Sequence, residues 1–451
     1  MSTTTPRYRR RSLSALIPIG LYLFLSVLYL FTVPSGESPD EPSHLQCIEQ
    51  VSINNRLPEI DPIPKGEWWS RTNTISGYLC HHLPLYYVAA GYLQRAMHLI
   101  SGAPLHFEFP PNNPAWGRSP SMFLHTDRPS FFSNPEPLTV LAVRVMSLLL
   151  GLAVIWAAYR VGSVIMPDNP GLPVVAATLC AGWPQFLYMQ RAINNDTLAT
   201  ALAVTVLIGL LDIGKPYRFV LASILACLAI LAKLTMVFSL AVVASVFLLE
   251  FAISRERRRA YLVPGLLSAG AVGLLAGLLL LQPTLNQHIV ADRASFGSIS
   301  GEALTPDYWS GFLQLSLSSG FARFGWMNVP APAWQAYAWW ACIAITGIVG
   351  LRVIMTSRLD RRRQLILIVL GIWVLAVSGS YIWLNLNRFQ PQFRFAFPIL
   401  PVISVFSAIG YLQFSERAGC RYTAGFLLLI IALILINLYI IFGVIGPAYA
   451  L

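Results

Sequence analysis

The chain has 451 residues, 56% of them hydrophobic and only 11% charged, with a mean hydropathy of +0.61. A soluble chain carries roughly a quarter charged residues, so this composition excludes a soluble globular protein and indicates one that crosses a membrane many times. The net charge of +11 would suit nucleic acid, but its distribution excludes that partner. Basic residues gather at 7–11, 255–259 and 358–363, in short gaps between apolar runs, as they do in cytoplasmic loops, and no tract interleaves basic and aromatic residues.

The first apolar run, residues 13–33, is long enough to span and has no small-residue cleavage site before Asp40, so it reads as a retained helix and not as a signal peptide. Ten further runs follow at 138–165, 172–188, 197–212, 219–232, 236–251, 262–281, 335–354, 365–384, 396–412 and 422–444. A twelfth candidate, 83–100, is less apolar and contains Gln94, Arg95 and His98. If it does not cross, Lys215/Arg218, 255–259, 358–363 and Arg417/Arg421 all fall inside with the basic N-terminus; if it crosses, all face out. The charge bias therefore predicts an interfacial helix there, eleven spans, the N-terminus in the cytoplasm and the C-terminus outside. The expected architecture is a single all-α polytopic membrane domain, 1–451, in the cell membrane, with large external segments at 34–137 and 283–334. Both segments are rich in Pro and aromatic residues, and the first carries interfacial helices.

Six cysteines show no metal spacing. Cys180, Cys227 and Cys342 sit in apolar runs, whereas Cys47 and Cys80 share the first external segment and could pair on an oxidising face.

The polar residues then sort by side. At external helix ends lie Asp40, Glu41 and His44, followed by His81-His82-Leu83-Pro84-Leu85-Tyr86-Tyr87, Asn194-Asn195-Asp196, Lys233, Asp292-Arg293, Arg323, Arg388 and Arg394. The helix interiors look nearly free of ionisable groups, which favours an interfacial site over a translocation path. For Asp40-Glu41 the alternative is a helix N-terminus, with Ser38 or Asp40 as cap and Pro39 or Pro42 in the first turn. For Asp196 it is an N-cap. For each arginine and lysine it is a snorkelling interfacial cation.

Asp40-Glu41 after the first helix resembles the acidic motif of the GT-C membrane glycosyltransferases. His82-Leu83-Pro84-Leu85-Tyr86-Tyr87 is similar to the His-Pro-Pro-Leu element of the protein O-mannosyltransferase and aminoarabinose-transferase branches, with Leu83 in place of the first proline. Asn195-Asp196 resembles their second acidic position. Gln392-Phe393-Arg394-Phe395 with Pro398, and Phe324-Gly325-Trp326-Met327-Asn328, resemble elements of a poorly characterised bacterial branch, although Phe393 and Phe395 replace Gly and Tyr.

That resemblance implies a GT-C-like fold and transfer of a sugar, with inversion, from a polyprenyl-phosphate donor to a glycan, lipid or protein acceptor outside the cytoplasm. A carboxylate must take the acceptor hydroxyl's proton, and Asp40 is the expected base, with Glu41 turned away to cap the helix or hydrogen-bond the loop. The departing phosphate needs fixed cations: Arg394 and Arg388 first, then Lys233 and Arg323. His82 could orient a phosphate or sugar hydroxyl, and Asp196 could bind the acceptor. His44 could tune the base or face water. No spacing requires a metal, though Asp40, Asp196 and a histidine could hold a divalent cation. The Trp- and Phe-rich stretch 321–340 could wall a groove for the isoprenoid. The competing readings are a transporter or flippase of a lipid-linked saccharide, which would place ionisable pairs or Gly/Pro breaks in mid-helix, and a non-catalytic scaffold.

Overall fold

The computed structural model describes residues 6–58, 60, 79–116, 118–124, 136–296 and 301–449. In chain order the helices are α1 (Pro6–Thr32), α2 (Glu41–Asn54), α3 (Leu85–Ser101), α4 (Leu138–Leu150), α5 (Leu152–Ile165), α6 (Leu172–Ala181), α7 (Pro184–Gln190), α8 (Asn195–Leu210) and α9 (Arg218–Ala232). They continue with α10 (Val237–Ile253), α11 (Arg258–Leu281), α12 (Pro283–Phe296), α13 (Pro306–Phe321), α14 (Ala333–Thr356), α15 (Arg361–Asn387), α16 (Leu400–Arg417), α17 (Tyr422–Tyr439) and α18 (Gly446–Tyr449). Strands β1 (Arg323–Phe324) and β2 (Val329–Pro330) form one short antiparallel hairpin. The all-α polytopic architecture follows from the composition, because apolar segments in lipid must satisfy their backbone internally.

Among the described residues, eight helical stretches are long and apolar enough to span, and α6 with α7, bent by 64° at their break, makes a ninth if the pair is one span. The two remaining expected runs are the shorter apolar helices α8 and α9, of 16 and 15 residues. The chain is an integral membrane protein. α3 packs against α2 and α4 and is not among the stretches of spanning length.

The bend between α6 and α7 has a local cause. Pro184 forces Trp183 into an extended conformation (φ −74°, ψ 113°), and the freed carbonyl of Gly182 accepts from Asn437 Nδ2 at 2.9 Å. The Trp183 indole donates to the carbonyl of Gly320, so this bend anchors α13 as well.

α14 and α16 approach through their backbones. A Cβ on Gly350 would lie 2.0 Å from the Phe406 carbonyl oxygen, and one on Gly410 would lie 1.9 Å from that of Thr346. Small residues permit such contact where no hydrophobic force drives helices together in lipid.

Gly410→Ala is therefore expected to destabilise the protein by about 1–3 kcal/mol, seen as a lower thermal midpoint in detergent. Gly371→Ala, where a Cβ meets open space, should leave that midpoint in place.

Candidate active site

The chain leaves α1 through a turn that a buried ion-pair cluster fixes. Arg144, on α4 and fully buried, grips Glu41 with two hydrogen bonds, Nε to Oε1 at 3.1 Å and Nη2 to Oε2 at 3.2 Å. The same guanidinium donates to the carbonyls of Val33 (3.4 Å) and Pro34 (3.1 Å) and to Glu136 (2.7 Å). Glu41 also accepts from the backbone N–H of Gly36 and of Ile193, both at 3.1 Å. Burial alone would raise its pKa, but the charges of Arg144 and Arg191 and these hydrogen bonds overcome that and hold the carboxyl below its ordinary range. Glu41 thus faces the protein interior. Arg144 also corrects the expectation that the helix interiors lack charge: it lies inside the run 138–165 and is tolerated because carboxylates and carbonyls surround it.

Two further contacts complete the turn. The Arg191 guanidinium lies over the Tyr188 ring, 4.6 Å from its centroid, and donates to the Ser38 hydroxyl. The β1–β2 hairpin presses on the same segment: Trp326 Nε1 donates to the Gly36 carbonyl (3.2 Å), and Gly325 N donates to the Tyr188 hydroxyl (2.9 Å). Gly325 adopts φ +60°, a conformation that suits glycine. The motif Phe324–Asn328 therefore braces the turn from the outside.

Held this way, Asp40 adopts a left-handed conformation, φ 66°, and makes no side-chain cap bond. Its carboxylate enters a cleft instead. The N-cap of α8 likewise falls to Asn194, whose Oδ1 accepts from Thr197 N at 3.1 Å, which leaves Asp196 to the same cleft. Asp40, His44, His82, Asn195, Asp196, Lys233, Asp292, Arg388, Gln390, Arg394 and Phe395 all line it. Most of these residues stand at the ends of α1, α9 and α15 and at the starts of α2, α8 and α16, with His82 in the turn before α3 and Asp292 on α12, so those helix ends share one face of the molecule.

Arg394, on the 3₁₀ stretch Phe393–Ile399, lies between the two carboxylates. Its Nη2 donates to Asp40 Oδ2 at 2.7 Å, and its Nε stands 3.6 Å from Asp196 Oδ2. Asp196 is also bonded to Lys233. Both cations touch the Phe395 ring, Lys233 Nζ at 4.5 Å and Arg394 Cζ at 4.9 Å from its centroid. The space between Asp40 and Asp196, expected to suit a divalent cation, is thus taken by a guanidinium. Three carboxylates (Asp40, Asp196, Asp292) and three fixed cations (Lys233, Arg388, Arg394) line the cleft.

His44 is buried one turn after Asp40, with Nδ1 3.0 Å from the Tyr87 hydroxyl. Burial depresses its pKa to about 3, only partly offset by the Asp40 charge, so its ring is neutral beside the acid. His82 Nδ1 lies 2.8 Å from Asp292. Among the described residues, the grouping of donors that could hold a metal is His81, His82 and Asp292. Cys47 and Cys80 form a disulfide that ties the residue before His81 to α2.

Of the eight residues singled out by sequence, Asp40, His82, Asp196, Lys233, Arg388 and Arg394 meet in the cleft, and Glu41 and Arg323 do not. Arg323 instead donates through Nε to the Met327 carbonyl at 2.6 Å and closes the β1–β2 turn. Asp292, visible in the sequence only as one more external polar residue, joins the cleft because α12 folds back over the first external segment. In that segment, residues 59, 61–78, 117 and 125–135 lie outside the described residues.

A second, apolar cavity of about 670 Å³ opens between α14, α16 and α17. Phe321, Trp334 and Trp339 from the aromatic stretch line it. The next residue, Trp340, packs on Phe393 with ring centroids 5.2 Å apart, and Phe393 immediately precedes Arg394.

No protein-family model matches this sequence, and no curated protein matches it. Solved structures do. The oligosaccharyltransferase of Archaeoglobus fulgidus in its apo form superposes with a TM-score of 0.50 at 14% identity, covering 99% of this chain and 56% of that one. ArnT from Cupriavidus metallidurans in the apo state gives a TM-score of 0.51 at 12% identity, covering 96% and 73%. The present chain thus spans little more than half the length of the archaeal enzyme. The chain shares the fold of both.

Replacing Glu41 with Gln leaves Arg144 and Arg191 without their shared counter-charge, and is expected to cost about 3–5 kcal/mol of stability, measured by thermal unfolding in detergent. His44 should give the fold an acid-sensitive component. With its folded pKa near 3 against an ordinary 6.5, the unfolded chain takes up a proton first, so the contribution is complete above pH 6.5 and is lost as pH falls from 6.5 towards 3. His44→Gln should flatten the decline of the thermal midpoint across that window.

Proposed function

We propose that this protein is a membrane glycosyltransferase that moves one sugar, with inversion, from a polyprenyl-phosphate carrier to an acceptor hydroxyl on the extracytoplasmic face. The observation that carries this reading is the direct bond between Arg394 and Asp40. In this reading Asp40 is the general base and Arg394 a phosphate-binding cation; the two are one hydrogen bond apart, in a cleft that Lys233 and Arg388 also line.

In the proposed reaction the acceptor oxygen attacks the anomeric carbon as Asp40 takes its proton. The bond from that carbon to the carrier phosphate breaks, and its electron pair leaves on the phosphate. Arg394, Arg388 and Lys233 neutralise the departing anion. Asp196 keeps Lys233 and Arg394 in place and offers an acceptor contact, while His82, fixed by Asp292, orients a sugar or phosphate oxygen. Glu41 acts through the turn and not on the substrate, and Arg323 braces the hairpin. The apolar cavity suits the isoprenoid chain: Trp339 in its wall is followed by Trp340, which packs on Phe393, the residue before Arg394.

The whole chain acts in this reading as one membrane domain, with 34–137 and 283–334 outside and the N-terminus in the cytoplasm. The basic loops support that orientation, and so does the disulfide, which belongs on an oxidising face. The broken span α6–α7 is the feature a transporter would use. Its freed carbonyl is bonded by Asn437, however, and both helices are buried in the apolar core, so it lines no polar path.

With purified protein and a radiolabelled polyprenyl-phosphate sugar, Asp40→Asn should lower transfer about 10²–10⁴-fold, and Arg394→Ala about 10²–10³-fold. Full transfer by a folded Asp40→Asn protein would remove Asp40 as the base. Cysteines placed near Asp196 and Arg293 should react with an impermeant reagent from outside and one at Arg257 should not; the opposite pattern reverses the topology.

A further inference from the structure

Asp292, on α12, faces the two adjacent histidines of the first external segment at the rim of the cleft. Its Oδ1 lies 2.8 Å from His82 Nδ1 and 3.6 Å from His81 Nε2, and its side chain is only 2% exposed. One donor atom from each of the three residues lies within 4.8 Å of the others. Ligands at about 2.0–2.1 Å from a tetrahedral zinc ion stand roughly 3.3 Å from one another, and the two distances to Asp292 bracket that spacing.

The three side chains are held from behind. His82 N donates to the Leu79 carbonyl at 3.0 Å, and this turn brings the two rings to one side, with centroids 4.4 Å apart. The Cys47–Cys80 disulfide pins the turn to α2. From α12, His288, fully buried and one turn before Asp292, donates through Nδ1 to the His81 carbonyl at 3.2 Å. Metal ligands are oriented by supports of this kind. A buried carboxylate also needs a counter-charge, and a divalent ion supplies it while both imidazoles stay neutral as ligands.

We propose that His81, His82 and Asp292 bind one zinc-class divalent cation, with three protein ligands and a fourth position open to the cleft. Two imidazoles and one carboxylate match zinc and its neighbours, whereas magnesium and calcium call for six or more oxygens. His82 and Asp292 line the cleft with Asp40, so the open position faces the space where a substrate oxygen would lie. The ion also clamps the first external segment to α12, a role independent of the proposed transfer reaction.

The full-length protein in detergent is stripped with a chelator, reloaded with zinc, washed and measured by elemental analysis. The wild type should retain about one zinc per chain, and Asp292→Asn or the double variant His81→Gln/His82→Gln less than about a tenth of that. His106→Gln, whose histidine pairs with Glu49 elsewhere in the segment, should retain it. Chelation should lower the thermal midpoint of the wild type, and zinc should restore it, which tests the site even if a variant misfolds. The proposal is overturned if monodisperse wild type binds no more zinc than the double variant, or if Asp292→Asn and the double variant both keep full occupancy. None of these readouts depends on sugar transfer.

Discussion

The two-pronged grip of Arg144 on Glu41 is the interaction on which the external face depends. A guanidinium buried in an α-helical bundle is costly unless every N–H finds an acceptor, and here it binds two glutamates and the carbonyls that end α1. That requirement sets the path of residues 33–41. The path puts Asp40 into a left-handed turn, and the turn aims its carboxylate at Arg394. Removing a charge far from the cleft would therefore reach the cleft through backbone geometry.

The cleft is a chain of alternating charges, from Asp40 through Arg394 and Asp196 to Lys233. The two inner ions, Arg394 and Asp196, each lie between opposite charges and so are held in position while their neighbours remain. In the proposed reaction, a phosphate that took over Arg394 would release the Asp40 carboxylate. Preorganised cations of this kind need not move at the moment of reaction, and this is where electrostatic catalysis gains its advantage over water.

The sequence carried the membrane architecture because the length of an apolar run is a local property. It located Asp40, Asp196 and Arg394 because charged residues at the ends of apolar runs stand out. It preferred Asp40 over Glu41 as the base only through the family resemblance, since two adjacent acids look alike until a partner is known, and Glu41 meets its arginine 103 residues away. Asn194 and Asp196 were equally ambiguous as caps, and only the observed bond from Thr197 N assigns the cap to Asn194. Arg144 does not stand out in the sequence, because two arginines in an apolar run of 28 residues leave the run's hydropathy high.

By itself, then, the sequence determined that the chain crosses a membrane repeatedly, that its ionisable residues collect near helix ends, and that Cys47 and Cys80 lie where they could pair. These are matters of composition and spacing along the chain. The tertiary structure alone decided which charges meet: Arg394 with Asp40, Lys233 with Asp196, and Asp292 with the paired histidines. Partners 354, 37 and 210 residues apart leave no periodic trace in a sequence, because Coulomb interaction depends on distance in space, and only helix packing sets that distance.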